Sequence, residues 1–204
     1  GGSSSRKNAS PAPEPSHRIE TGVRHMSVFS NTSQDAPELR AQYASAVLSL
    51  IGDRDPMDVL RDTPGACARA VATLTPEHLK LREAPGKWSI AMVLRHLADT
   101  EVVWGWRMRL ILAQDRPVIT GFDQDLWAER LDYANADPSE SLEAFIVFRR
   151  DNLRLLQRAT PADLERVGVH AERGEESAGY LVRLYAGHDL MHLAQIDRIR
   201  SVVS

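Results

Sequence analysis

Only one cysteine, Cys67, stands in the 204 residues. An internal disulfide is therefore excluded, and the chain reads as one suited to a reducing cytoplasm. Cys67 has Ala66, Ala68 and Ala70 close by, a setting for a small core thiol rather than a nucleophile. Long apolar runs are also missing. No stretch approaches the ~20 consecutive apolar residues of a membrane-spanning helix. An excess of positive charge is absent as well, the formal net charge being −3. Four of the 25 basic and two of the 28 acidic residues fall in the first 26, which leaves 21 basic against 26 acidic residues beyond them, a net of −5. A mildly acidic domain without a basic stripe is a poor match for phosphate backbones, so neither nucleic acid nor a membrane is expected as a partner. Strand alternation is not sustained anywhere, whereas helical periodicity recurs along the chain.

What is present divides into two parts. Residues 1–26 open on Gly-Gly-Ser-Ser-Ser, continue through Pro11, Pro13 and Pro15, and hold few hydrophobic residues. His25-Met26 resembles the join of a vector leader to a native start, and the segment reads as an expression leader or disordered tail. Residues 27–204 read as a single domain, and a hydrophobic fraction of 43% suits one core. The periodicity predicts a helix over 38–51 and a broken helical stretch over 56–74, interrupted near Pro64-Gly65 because proline lacks a backbone donor. A turn follows at Thr75-Pro76-Glu77, and a long helix over 89–114 is capped by Ser89. The connection over 116–137 is mostly irregular, with a helical piece over 125–131. A helix over 138–159, a turn at Thr160, a polar loop over 170–176 and a last helix over 177–202 complete the chain. The expected class is all-α: an up-down four-helix bundle with an additional N-terminal helix and a long connection between the second and third bundle helices. Connections of that length often serve as lids or binding loops.

The histidines carry the chemistry. His188 and His192 are one helical turn apart, and on a wheel of about 100° per residue they share a stripe with Leu181, Leu184, Tyr185, Ile196, Ile199 and Val203. Such a stripe faces a core. Imidazoles in a core are costly unless their nitrogens are used, and a divalent metal uses them readily. Hydrogen-bonded core histidines are the competing reading. A catalytic site generally takes about three protein ligands. His96 is the third candidate, at the edge of the apolar stripe Ile90, Leu94, Leu97, Trp104 and Met108. Zinc and nickel head the candidate metals, followed by iron and manganese.

Two charges also fall on apolar stripes. Glu101 sits among Ile90, Leu94, Leu97 and Met108; Arg149 sits among Leu142, Phe145, Ile146, Leu153 and Leu156. Buried charges are almost always paired, which predicts a Glu101–Arg149 ion pair inside the bundle. The alternatives are that both snorkel at helix edges, or that Glu101 serves the metal.

Pro85-Gly86-Lys87-Trp88-Ser89-Ile90 followed by His96-Leu97-Ala98-Asp99-Thr100-Glu101, together with the ending Leu184-Tyr185-Ala186-Gly187-His188-Asp189-Leu190-Met191-His192-Leu193-Ala194-Gln195-Ile196, resembles the signature of the DinB-like superfamily. The resemblance spans about residues 37–203. It implies a four-helix bundle with a divalent metal on three histidines, carried here onto His96, His188 and His192, and frequent homodimers. Activities among such proteins include transferases and isomerases that use low-molecular-weight thiols, namely bacillithiol, mycothiol or glutathione. Others are labelled metal-dependent hydrolases. The sulfoxide synthases that share this bundle place Glu where this chain has Ala194, so that branch does not fit.

The expectation is a metal-dependent transferase moving a low-molecular-weight thiol onto an electrophilic small molecule. A metal-dependent hydrolase and a non-catalytic module stapled by its metal are the alternatives. Catalytic groups beyond the metal ligands are not fixed by the sequence. Asp123 and Asp125 on the long connection are candidates for a base or substrate anchor, with helix capping as the competing role. His170 is a third candidate, with a structural or solvated loop histidine as its competing reading.

Overall fold

Three of the long helices begin where a side-chain oxygen takes up donors that the first turn leaves open. The computed structural model describes Gly1 and residues 37–203; apart from Gly1, the segment read as a leader lies outside the described residues. Helix α1 runs over Pro37–Ser49, α2 over Pro56–Val71, α3 over Pro76–Lys80 and α4 over Ile90–Ala113. Helix α5 runs over Gln124–Arg130, α6 over Pro138–Leu156, α7 over Pro161–Leu164 and α8 over Ala178–Val203. Asp55 caps α2 through the Met57 N–H, Ser89 caps α4 through that of Met92, and Asp137 caps α6 through those of Ser139 and Glu140. Pro56 and Pro138 occupy first-turn positions, where no donor is needed.

Helices α2, α4, α6 and α8 form the four-helix bundle expected from the sequence, with α1 as the additional helix laid on α8. Helix α2 packs on α6 and α8, and α4 packs on the same two. Helices α4 and α8 are thus neighbours, which brings His96 toward the His188–His192 pair. None of the described helices is long and apolar enough to cross a membrane.

Two apolar clusters fill the bundle, one around Leu60, Trp104, Met108, Ile111 and Leu181, the other around Cys67, Ile90, Leu94, Leu97, Phe145 and Ile196. A polar layer crosses between them. Arg149 donates from Nη2 to Glu101 Oε1 at 2.6 Å and from Nη1 to Asp189 Oδ2 at 2.6 Å, and all three residues are about 1% exposed. The expected Glu101–Arg149 pair is therefore present; Asp189 is an additional partner. Asn152 Nδ2 donates to the second Glu101 oxygen at 2.9 Å.

Helix α2 supplies the fourth side of this layer and corrects a sequence expectation. Pro64 lies inside a continuous helix rather than at a break. Having no N–H, it leaves the carbonyl of Leu60 without its helical donor, and Arg149 Nη1 donates to that oxygen at 2.7 Å. The proline defect is used as an acceptor by a buried guanidinium, so the helix continues through it.

A second correction concerns residues 170–176, expected as a loop. β2, Val167–His170, pairs antiparallel with β3, Gly174–Ser177, and parallel with the two-residue β1, Val118–Ile119. In β2 the buried positions are Gly168 and His170, while Val167 and Val169 are half-buried. Hydropathy therefore runs out of phase with burial, and the strand leaves no readable alternation. Gly168 allows β2 onto α4, since a Cβ there would come within 2.8 Å of Ile111. The helical piece of the connection is present as α5.

Candidate metal centre

Three side chains meet where α4 faces α8. His96 Nε2 lies 3.2 Å from His188 Nε2, and His192 Nε2 lies 3.1 Å from the same atom. The three offer ligand atoms that all lie within 4.8 Å of one another. Nitrogens held about 2.0–2.1 Å from a common ion at angles between octahedral and tetrahedral would be about 2.9–3.4 Å apart, a range that holds both separations from His188 Nε2. All three rings are buried. Desolvation lowers each imidazole's pKa; neighbouring charges lower those of His96 and His188 further, and that of His192 falls to about 4 although its hydrogen bond to Gln195 opposes the shift. At neutral pH the rings are uncharged, the state a metal requires.

Their orientations are set by neighbours. The Nδ1 of His192 is 2.7 Å from Gln195 Oε1; with the proton on Nδ1, the Nε2 lone pair turns inward. Among the described residues His96 and His188 have no hydrogen-bond partner at Nδ1, and packing holds them instead. The Trp88 ring centre is 5.0 Å from that of His96, Phe122 stacks on His96 at 6.4 Å, and Tyr185 is 6.2 Å from His188. Thr100 places its hydroxyl 3.4 Å from His96 Nε2. The long connection is pinned beside the site by Tyr133, whose buried hydroxyl donates to Asp99 at 2.7 Å.

A cavity opens from the histidines. Its wall includes His96, His188, Thr100, Arg107, Tyr185 and Leu184 from the bundle, Tyr43 and Ala44 from α1, Phe122 and Gln124 from the long connection, and Arg173 between β2 and β3. The connection thus borders the site, as expected. Helix α1 is brought against it because Gly187 has no side chain: a Cβ there would overlap the Val47 carbonyl.

The other sequence candidates stand apart from this wall. Asp123 caps α5, its Oδ1 accepting from the N–H groups of Asp125 and Leu126, each at 3.0 Å. Asp125 is exposed in the first turn of α5. His170 is buried at the end of β2, where its Nδ1 accepts from the Glu172 N–H at 3.1 Å. Glu101 is held by Arg149 and Asn152 in the polar layer.

Sequence reasoning missed Gln195, Thr100, Arg107, Tyr43 and Arg173. Three of them were within reach of it. Gln195 follows His192 by three positions and Thr100 follows His96 by four, spacings at which helical side chains meet. Arg107 follows His96 by eleven, about 20° round the helix. Tyr43 and Arg173 come from segments whose docking no local pattern reports.

The chain is similar to known proteins over about two thirds of its length. A protein of Oceanobacillus iheyensis, named as a putative metal-dependent hydrolase, is 33% identical over 140 residues, covering 69% of this chain and 81% of its own. YfiT of Bacillus subtilis, which has the same designation, is 28% identical over 146 residues, covering 70% of this chain and 82% of its own. The solved structure of YfiT, described as a probable metal-dependent hydrolase with an unusual four-helix bundle topology, superposes with a TM-score of 0.66 over 71% of this chain and 83% of that one, at 28% identity. The model of the DinB superfamily matches residues 60–196, a span that holds His96, His188 and His192, and the chain belongs to that superfamily.

Proposed function

We propose that the protein is a divalent-metal-dependent enzyme acting on a small molecule, with His96, His188 and His192 as the metal ligands. The observation that carries this reading is the convergence of three buried imidazoles through their Nε2 atoms, two of them, His96 and His188, on the wall of a cavity. Among the described residues, the His, Cys, Asp and Glu side chains gathered there stop at these three. A ligand set of that size favours a catalytic centre over a structural staple, which is closed by a fourth protein ligand.

A divalent cation on three neutral ligands keeps its full charge and lowers the pKa of a water or thiol that binds it. The chain's own groups do the rest. Gln195 fixes the tautomer of His192, and Trp88 and Phe122 hold the plane of His96. The Thr100 hydroxyl is within reach of a group arriving beside His96 Nε2. Phe122, Leu184 and Tyr43 give the cavity an apolar lining that limits water, while Tyr133 keeps the connection anchored to α4.

The reaction we favour is transfer of a low-molecular-weight thiol to an electrophilic small molecule, the activity that goes with the superfamily resemblance. Metal-dependent hydrolysis is the second reading, supported by the designations of the relatives. The test is a panel of bacterial thiols with electrophiles, and of esters and amides, run on metal-loaded protein with His188→Ala as control. Thiol-dependent consumption of electrophile supports transfer; turnover of an ester or amide without thiol supports hydrolysis; no turnover of either with metal bound supports the non-catalytic module. We also read the chain as a homodimer, for which the exposed Val102 and Trp106 on one face of α4 offer an apolar surface.

A further inference from the structure

Arg107 is only 5% exposed, and a guanidinium that deep is ordinarily met by a carboxylate. Arg149 has two. Arg173, the other arginine on the cavity wall, is gripped by Glu176 at 2.5 and 2.9 Å. Arg107 differs from both: among the described residues its partners are all neutral. Its Nε and Nη2 donate to the carbonyl of Thr120, the former at 3.1 Å, and its Nη1 donates to the Tyr185 hydroxyl at 2.9 Å. A guanidinium carries five N–H groups, so two remain after these three bonds. The side chain lines the same cavity as His96 and His188. His96, Thr100 and Arg107 share one face of α4, with about three turns between the first and the last. With Arg173 neutralised by Glu176, the described residues of this cavity present one uncompensated positive charge, separated from the histidines by a partly apolar wall.

We propose that the cavity binds a small molecule bearing a carboxylate, seated on Arg107 beside the Tyr185 hydroxyl, with the reacting group of the same molecule at the three histidines. One guanidinium with two remaining donors matches the charge and the two oxygens of a carboxylate; a phosphate dianion would call for more positive charge than this wall supplies. Phe122 and Leu184 suit a short hydrocarbon spacer between the two ends. The inference rests on the reading of this cavity as the substrate site.

The experiment is calorimetric titration of the full chain, with and without zinc, using hexanoate, hexanamide and inorganic phosphate as probes. Hexanoate is expected to bind at least about tenfold more tightly than hexanamide, the gap a charge-assisted hydrogen bond supplies, and phosphate to bind more weakly than hexanoate. The acid–amide gap should persist without zinc, close in Arg107→Met and shrink severalfold in Arg107→Lys, which keeps the charge should Arg107→Met fail to fold. Equal affinity for acid and amide, tighter binding of phosphate, or an undiminished gap in either variant would overturn the proposal. A gap that needs zinc and survives in the variants would place the carboxylate on the metal, sinking this inference while leaving the metal reading intact. A protein that binds none of zinc, nickel, iron and manganese would sink the metal reading, while the zinc-free gap would still decide on Arg107.

Discussion

Arg149→Met should be among the most damaging single changes in the bundle. The side chain makes four hydrogen bonds, to Leu60 O at 2.7 Å, Asp189 at 2.6 and 3.0 Å and Glu101 at 2.6 Å. It is also packed over Phe145, with the guanidinium carbon 4.8 Å from the ring centre. Methionine fills much of the space but leaves two buried carboxylates facing each other. Removing one member of a buried ion pair costs about 3–5 kcal/mol, which for a domain of this size lowers the melting temperature by roughly 6–20 °C. Burial raises the Glu101 pKa, and Arg149 and Asn152 counter that; without Arg149 it must rise further. A carboxyl whose folded pKa lies above its unfolded value stabilises below the unfolded pKa, and that contribution is lost as pH rises through the folded pKa. The Arg149→Met penalty should therefore shrink as pH falls from about 8 toward about 5. The triple replacement Glu101→Met, Arg149→Met and Asp189→Leu should be more stable than Arg149→Met alone at neutral pH, since no buried charge is stranded. Urea unfolding monitored by circular dichroism reads all three quantities. A single variant losing less than about 1 kcal/mol, the range of exposed pairs, or a triple variant no better than the single, would refute the reasoning.

Gly187→Ala should push α1 off α8, because the added Cβ meets the Val47 backbone; an overpacking cost of about 1–3 kcal/mol is expected in urea unfolding, with increased amide exchange along α1. Cys67 is fully buried, and its thiol is pushed up to about 12 by desolvation and by nearby Asp189. The native protein should accordingly resist dithiodipyridine at about pH 8, far below that pKa, and react only after denaturation; rapid native labelling would contradict this placement. Trp106→Glu puts a charge on the most exposed residue of the α4 apolar face, 62% accessible, and should convert the proposed dimer to a monomer in light scattering while circular dichroism shows the helices retained. An unchanged dimer would exclude that face as the interface.

The readable features were those written in local periodicity. The caps at Ser89 and Asp123, the apolar stripes of α4 and α8, and the placement of three histidines on facing stripes all follow from one helical turn of geometry. Glu101 and Arg149 were legible because a charge on a core stripe demands a partner. Asp189 was not, since it lies one residue from His188, about 100° off the stripe, and only the packing of α2 and α4 against α8, with Arg149 reaching across from α6, closes over it. Pro64 was misread for a related reason. Its local effect is to break a helix, and the compensating donor is 85 positions away on α6. The β2–β3 hairpin was hidden because glycine and histidine, not the valines, occupy its inward positions. The cavity depends on α1 and the hairpin docking against the bundle, an outcome of tertiary packing that no single segment encodes.

The central claim is most directly tested by cobalt titration of chelator-treated protein, followed by the visible absorption of the bound ion and by metal analysis after gel filtration. One ion per chain is predicted, with the spectrum of a site of low coordination number, lost or weakened at least about tenfold in each of His96→Ala, His188→Ala and His192→Ala while circular dichroism shows the helices retained. Absence of stoichiometric binding to the intact chain, or binding that survives unchanged in all three variants, would contradict it.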